Sequence, residues 1–418
     1  MDKTRERILV LDGLRFFAAF TVMMAHYVHW VVCDQGVHNW MTNFFGSLSA
    51  IGMPLFFVLS GFVVHYNYRN MYEYPGGVKA YLIARFTRIY PLYLILFIIE
   101  FIICFHLWRG SCGHAGNRLG FFLALPYHLS LTQDWFYGII AKNSLIYQYH
   151  MCSGVSWSLS LEFFFYLFYL FLARWLPRQK KLSQLILFAL VAQLAVVLLL
   201  ICCYRFENVV ENIALVGFGE CATMHNGYQD SLLRWIYYFN PLVNLPAFFF
   251  GAALAQIHLL KKPLNRFELR LGNWITFLSL VSMLSVHFWI CLGLAPTHGF
   301  FGRTGSILVA PLMACVIFCL IRYSSTFFNR ILAIPLFVKL GEASYSIYLL
   351  HAFFGWYSRD YYHFHLNPWL LYGIAMCCIL IISRASYLIF ERPVQKWLRN
   401  IMLGKREVKT SLKVAERA

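Results

Sequence analysis

Charge is scarce in this sequence. Of 418 residues only 13% are Asp, Glu, Lys or Arg, and the two acids together number 18. Soluble domains carry roughly a quarter of their residues as charges, so an ordinary soluble enzyme is excluded. A disordered chain is excluded too, because 60% of the residues are hydrophobic and 19% aromatic. No two of the 12 cysteines stand at CxxC spacing, and nothing in the pattern calls for a metal. Segments of period-two alternation, which a membrane barrel would need, are missing. So is a small-residue cleavage site after the first apolar run, which argues against a removable signal peptide.

What is present is hydrophobic length. Mean hydropathy is +0.61, and a helix needs roughly 20 mostly apolar residues to cross ~30 Å of hydrocarbon. Ten windows qualify: 8–33, 45–68, 89–108, 156–176, 182–204, 236–260, 274–296, 304–321, 335–357 and 369–390. The expected fold is an all-α integral membrane protein of about ten transmembrane helices. Of the 35 Lys and Arg, 26 fall in alternate loops on one side and seven on the other. By the positive-inside rule both termini are cytoplasmic, which agrees with an even helix count. The formal charge of +17 therefore reads as a topology signal and a contact with anionic lipid. Nucleic acid is not an expected partner. Cys112, Cys152 and Cys221 fall in outward-facing loops; spacing alone leaves a Cys112–Cys152 disulfide open.

Ionisable groups inside spanning helices are costly and mark function by default. In the first window Arg15 and His26 are eleven residues apart, which puts them within ~20° of one helix face and ~16 Å apart along the axis. Asp12, one turn before Arg15, is placed to pair with it. The alternative is a structural ion pair plus a hydrogen-bonded core histidine. His29 competes with His26 but does not share Arg15's face. In the Trp157-Ser158-Leu159-Ser160-Leu161-Glu162 stretch, Glu162 is expected at the depth of His26, where a carboxylate could orient a basic imidazole. Arg85 and Arg88, one turn apart at a cytoplasmic helix entry, suit a polyanionic ligand or serve as a positive-inside anchor. Glu342, Tyr345 and His351 lie in the ninth window, with Glu342 and His351 pointing in opposed or oblique directions. Glu391-Arg392-Pro393 ends the tenth, where proline disfavours helical geometry at Arg392. These last groups could simply lock helices together. Gly52 and Gly61 read as close-packing positions.

Taken in order, these stretches resemble the acyltransferase-3 family of ten-helix membrane acyltransferases that O-acylate extracytoplasmic sugars. The resemblance rests on Leu11-Asp12-Gly13-Leu14-Arg15 with His26, the Leu55-to-Phe62 helix, Arg85-Phe86-Thr87-Arg88, Trp157-to-Tyr166, Gly341-to-His351 and Glu391-Arg392-Pro393. It implies an acyl-coenzyme A donor, usually acetyl, entering from the cytoplasm. It also implies an acceptor hydroxyl on a glycan such as lipopolysaccharide O-antigen or exopolysaccharide, in a bacterial inner membrane. By carry-over His26 is the catalytic base, assisted here by Glu162. Arg15, Arg85 and Arg88 serve the donor, with Asp12, Trp157, Ser158, Glu342, Tyr345 and His351 in support. Residues 1–393 would form the transmembrane acyltransferase domain and 394–418 a basic cytoplasmic tail, without the fused hydrolase-like domain of many members. The Asn244-Leu245-Pro246 stretch departs from the family pattern, which leads one to expect Arg or Glu nearby. The outer loops, including His150 to Trp157, have the composition of a sugar-binding surface. A transporter or flippase of a glycan or glycolipid is the competing reading, since intramembrane charges also line transport paths. Against it, no inverted repeat is evident.

Overall fold

The computed structural model describes residues 7–107, 118–140, 142–146, 154–260, 264, 266–291, 299–324, 326–358 and 366–415. Cys112 and Cys152 lie outside the described residues. The chain opens with α1 (Leu9–Tyr27), which widens into a π-helical turn over Val28–Val32. It continues through α2 (Trp40–Ser47), α3 (Ser49–Tyr68), α4 (Gly77–Leu107) and α5 (Arg118–Leu129). A small hairpin pairs Ile139–Ile140 with Asn143–Ser144. Next come α6 (Ser156–Trp175), α7 (Leu182–Arg205), α8 (Glu207–Phe218) and the one-turn α9 (Leu232–Arg234). Then follow α10 (Pro241–Leu260), α11 (Arg266–Cys291), α12 (Phe300–Leu308) and α13 (Ala310–Arg322). The last part holds α14 (Phe327–Leu332), α15 (Pro335–Glu342), α16 (Ser344–Ser358), α17 (Pro368–Ser386) and α18 (Arg392–Ala415).

Among the described residues, nine helical stretches are long and apolar enough to span a bilayer. The chain is thus an all-α, multi-pass membrane protein. The remaining window, the ninth (335–357), is divided: α15 and α16 meet at Ala343, whose backbone leaves helical geometry (φ −89°, ψ 8°). The division falls beside Gly341, where a Cβ would stand 1.9 Å from the Asp12 carbonyl oxygen of α1.

How the helices meet their surroundings follows from side-chain pattern. In α7 the buried positions Leu185, Ala189, Gln193 and Leu200 form one stripe, while Leu187, Val191, Leu194 and Leu198 on the other faces are exposed. A helix that carries no charge before its last residue, Arg205, buries a single stripe and exposes leucine elsewhere is built to face lipid. At the centre, α3 and α10 touch backbone to backbone. A Cβ on Gly61 would lie 1.9 Å from the Phe248 carbonyl oxygen, and one on Gly251 would lie 1.9 Å from that of Val58. Gly61, a packing position in the sequence, is so here, with Gly251 as its counterpart.

Arg7, at the start of the described residues, lies on the same face as α18. Arg7 bonds Glu342 at 2.9 Å, Arg384 bonds the same carboxylate at 3.1 Å, and Arg399 reaches the Thr87 hydroxyl at 3.3 Å. The helix stop anticipated at Arg392-Pro393 does not occur. A π-helical turn over Tyr387–Glu391 precedes Arg392, which stays helical (φ −64°, ψ −46°). The wider turn accommodates the missing proline N–H without ending the helix.

On the opposite face, Asp134 follows α5 and is buried. Its backbone N–H donates to the Ser160 hydroxyl, and its carbonyl accepts from the Trp235 indole at 2.9 Å. Burial pushes the Asp134 carboxyl well above the usual carboxylate range. A raised folded-state pKa contributes stability that is fully present below the unfolded pKa and is lost as pH rises toward the folded value. Asp134→Asn should therefore match wild type near pH 4 and exceed it progressively at higher pH, by up to about 1.4 kcal/mol per pH unit across that window. Thermal denaturation across pH reads this directly; parallel curves would refute it.

Candidate active site

Between the helices lies a cavity of about 420 Å³. At the face of α18 it is lined by Arg7, Glu342, Lys396 and Arg399, and at its inner end by Met53, Ser158 and Tyr348. On α3 its lining runs from Met53 to Asn67, a depth of ~21 Å at 1.5 Å per residue.

Seven cations line this space: Arg7, Arg15, Arg85, Arg88, Arg392, Lys396 and Arg399, against the carboxylates Asp12, Glu162 and Glu342. Several are spoken for. Arg15 pairs with Asp12 at 3.0 Å, the contact their spacing foreshadows, and Arg7 shares Asp12 at 2.9 Å and Glu342 at 2.9 Å. Arg88 pairs with the buried Glu391, which also accepts from the Ser346 hydroxyl at 2.6 Å. Glu391 thus ties the end of α17 to α4 and α16, the locking role anticipated for it. Arg85 differs. Its guanidinium lies 5.0 Å from the Tyr68 ring and 5.6 Å from the Tyr166 ring, and donates to the Tyr68 hydroxyl at 3.4 Å. Among the described residues Arg85, Arg392, Lys396 and Arg399 have no carboxylate partner. Charge that is held in a recess and left unneutralised attracts an anion.

The histidine expected to act as a base sits just beyond the inner end. His26 Nδ1 is 3.0 Å from His351 Nε2, and His351 Nδ1 is 3.0 Å from the Ile347 carbonyl oxygen. A carbonyl only accepts, so His351 must carry its proton on Nδ1. Its Nε2 then accepts, and the neutral His26 ring donates from Nδ1. That assignment leaves His26 Nε2 with its lone pair, the form a general base requires. His26 is half-buried, 5.2 Å from the Trp30 ring; His29 is exposed.

The expected pairing of Glu162 with His26 is not what the fold makes. Glu162 accepts from Ser60 at 2.9 Å and from the Tyr166 hydroxyl, facing the cavity. The reason is depth: Ser158 and Glu162 share one face of α6, and it is Ser158, one turn earlier, that donates to the Tyr348 hydroxyl at 2.6 Å. Tyr348 in turn lies 5.7 Å from the His351 ring. The inner partner of His26 is therefore His351, which sequence spacing had no means of pairing with a residue 325 positions away. Ser158 and Tyr348 close the cavity one ring short of the histidines.

The remaining sequence candidates are placed as follows. Tyr345 lines the cavity, donates to the Ile89 carbonyl and lies 5.7 Å from Arg88. Trp157 is buried against Tyr238 and Phe239 at 4.7 and 5.3 Å. It is a packing residue and not an open sugar-stacking platform. Residues 150–153 of the proposed acceptor stretch lie outside the described residues. The lining cations that sequence reasoning did not assign to the site are Arg7, Arg392, Lys396 and Arg399, although the last three recur at the i, i+4, i+7 spacing of one helix face.

Residues 8–388 match the family model described as "Acyltransferase domain", of the acyltransferase-3 type. The chain belongs to that family. Acyltransferase MdmB of Streptomyces mycarofaciens is 33% identical over 162 residues, covering 38% of either chain. Protein 2 in the picA locus of Rhizobium radiobacter is 36% identical over 94 residues, 22% of this chain and 42% of its own. A protein of Staphylococcus aureus strain COL, provisionally named an O-acetyltransferase, is 23% identical over 403 residues. That match covers 92% of this chain and 57% of the relative. The chain thus spans between 38% and 57% of these relatives' lengths. No solved structure matches this family member significantly.

Proposed function

We propose that this protein is a membrane-embedded O-acyltransferase that moves an acyl group, acetyl in the simplest case, from cytoplasmic acyl-CoA to a hydroxyl of an extracytoplasmic glycan. The bacterial cytoplasmic membrane is its proposed location. The observation that carries the reading is the cation-lined cavity, which leads from the face of α18 to the edge of the His26–His351 pair. Coenzyme A is polyanionic at its nucleotide end and slender at its thioester end. Arg85, held between two tyrosines without a carboxylate, suits the phosphates, and the narrow inner end suits the pantetheine arm.

In the proposed step, His26 Nε2 accepts the proton of the sugar hydroxyl. The sugar oxygen bonds to the thioester carbonyl carbon, and the carbon–sulfur bond breaks. Coenzyme A leaves as the thiolate and takes the proton back from His26, so the protein returns to its starting state. His351 holds the reactive tautomer of His26 and accepts from its ring as charge develops. Rotation of Tyr348 away from Ser158 joins the cavity to the histidines.

The test is label transfer in reconstituted vesicles. Acyl-labelled acyl-CoA should yield labelled glycan and an equal amount of free thiol. A transporter would move glycan unmodified, and that outcome would sink the proposal. Within the same assay, Arg85→Gln should raise the KM for acyl-CoA about tenfold with kcat nearly unchanged, the effect of losing one charged hydrogen bond.

A further inference from the structure

The C-terminal helix α18 is amphipathic in an unusual sense: its polar face lines the cavity. Arg392, Lys396 and Arg399, with Gln395, line the cavity, while Trp397 and Ile401 on other faces are each 60% exposed. Leu403 is buried against Ala80 and Ile83 of α4. Arg399 is seated on the same stretch of α4, donating to the Thr87 hydroxyl at 3.3 Å and the Ala84 carbonyl at 3.5 Å. Those two residues flank Arg85. The helix therefore lies along the cavity mouth with cations inward. Its exposed Trp and Ile are residue types that settle at a membrane interface.

We propose that α18 is the outer wall of the donor site, with Lys396 and Arg399 binding the phosphates at the nucleotide end of coenzyme A. This rests on the acyl-CoA reading above and assigns the binding to α18, which lies past the last apolar window of the sequence, 369–390. Two features support it. Neither side chain has a carboxylate partner among the described residues, so their charge is available. Arg399 is also held beside Arg85 by neutral acceptors, which fixes its position without spending its charge. With Arg85 they line one cavity with cationic donors drawn from α4 and α18.

The experiment compares two donors on the full-length protein in vesicles: acyl-CoA and the matching acyl-pantetheine, which lacks the nucleotide and its phosphates. Lys396→Gln and Arg399→Gln should each raise the KM for acyl-CoA about tenfold, leave kcat nearly unchanged and leave the KM for acyl-pantetheine unaltered. Lys396→Arg, which keeps the charge, should behave as wild type. Lys396 is exposed at the cavity mouth, so its substitution probes binding even if the Arg399 variant fails to fold. Equal losses with both donors, or none with acyl-CoA, would overturn the assignment while leaving acyl-CoA as donor. Repeating the comparison in zwitterionic and in anionic vesicles separates donor phosphate from lipid headgroup phosphate: an effect confined to anionic lipid also overturns it. If wild type takes no acyl group from acyl-CoA, the failure belongs to the proposed function instead.

Discussion

Alanine at position 26 should leave a folded protein whose acyl transfer is about 10²–10⁴-fold slower, the usual contribution of a positioned general base. The fold should tolerate the change because His26 is half-buried at the end of α1 and, among the described residues, its ring makes one side-chain hydrogen bond, to His351. Transfer should not tolerate it, because the unprotonated Nε2 is the only basic atom that the Ile347–His351–His26 chain delivers. The two substitutions at position 351 discriminate further. His351→Gln supplies an amide oxygen that can accept from His26 Nδ1, whereas His351→Phe supplies nothing. If His351 acts by fixing the tautomer, the acid limb of the kcat/KM profile should move in the Phe variant and hold in the Gln variant. A residue that only fills space would give equal losses and an unmoved profile. Wild-type transfer by His26→Ala would end the mechanism outright.

The largest effect on stability is expected at the α3–α10 crossing. Gly61→Val should lower the detergent-solubilised melting temperature sharply or abolish accumulation of the folded protein. Ordinary overpacking costs about 1–3 kcal/mol because side chains can shift. Here the obstacle is the Phe248 carbonyl oxygen, 1.9 Å from the position of a Cβ, and a helix backbone cannot step aside without separating the two helices. Gly251→Val meets the Val58 carbonyl at the same distance and should behave alike. The double variant should cost less than the sum, because both substitutions break one contact. Gly217→Ala is the control, since nothing stands within 4 Å of a Cβ there. A Gly61→Val protein that melts with wild type would show that the crossing is not as close as described.

Much of this architecture was legible because bilayer thickness imposes a length on apolar runs, and that length survives in one dimension. Nine windows are continuous or nearly so, and even the divided one holds its place, its break at Ala343 being set by the approach of α1 and not by composition. Local ion pairs were legible for the same reason: Asp12 and Arg15 are one turn apart and meet. What could not be read were partners that only the bundle brings together. His26 meets His351, Arg88 meets Glu391, and Glu162 turns to Ser60. A depth estimate put Glu162 and His26 at one level, but on the same face of α6 it is Ser158, one turn earlier, that meets Tyr348, while Glu162 stays beside Ser60. The helix α18 escaped for another reason. A search tuned to uncharged stretches passes over a segment whose apolar positions are few, although the recurrence of its basic residues on one face was there to be counted.

The hydrogen bond between Ser158 and Tyr348 has an electrical consequence. The recess runs ~21 Å along α3 and ends at Ser158 and Tyr348. An ion carried across the membrane past that point would exchange up to about 2.3 kcal/mol per elementary charge per 100 mV. In the proposed reaction the phosphates halt short of it and only a neutral acyl group goes through, so the transfer neither draws on the membrane's stored energy nor short-circuits it.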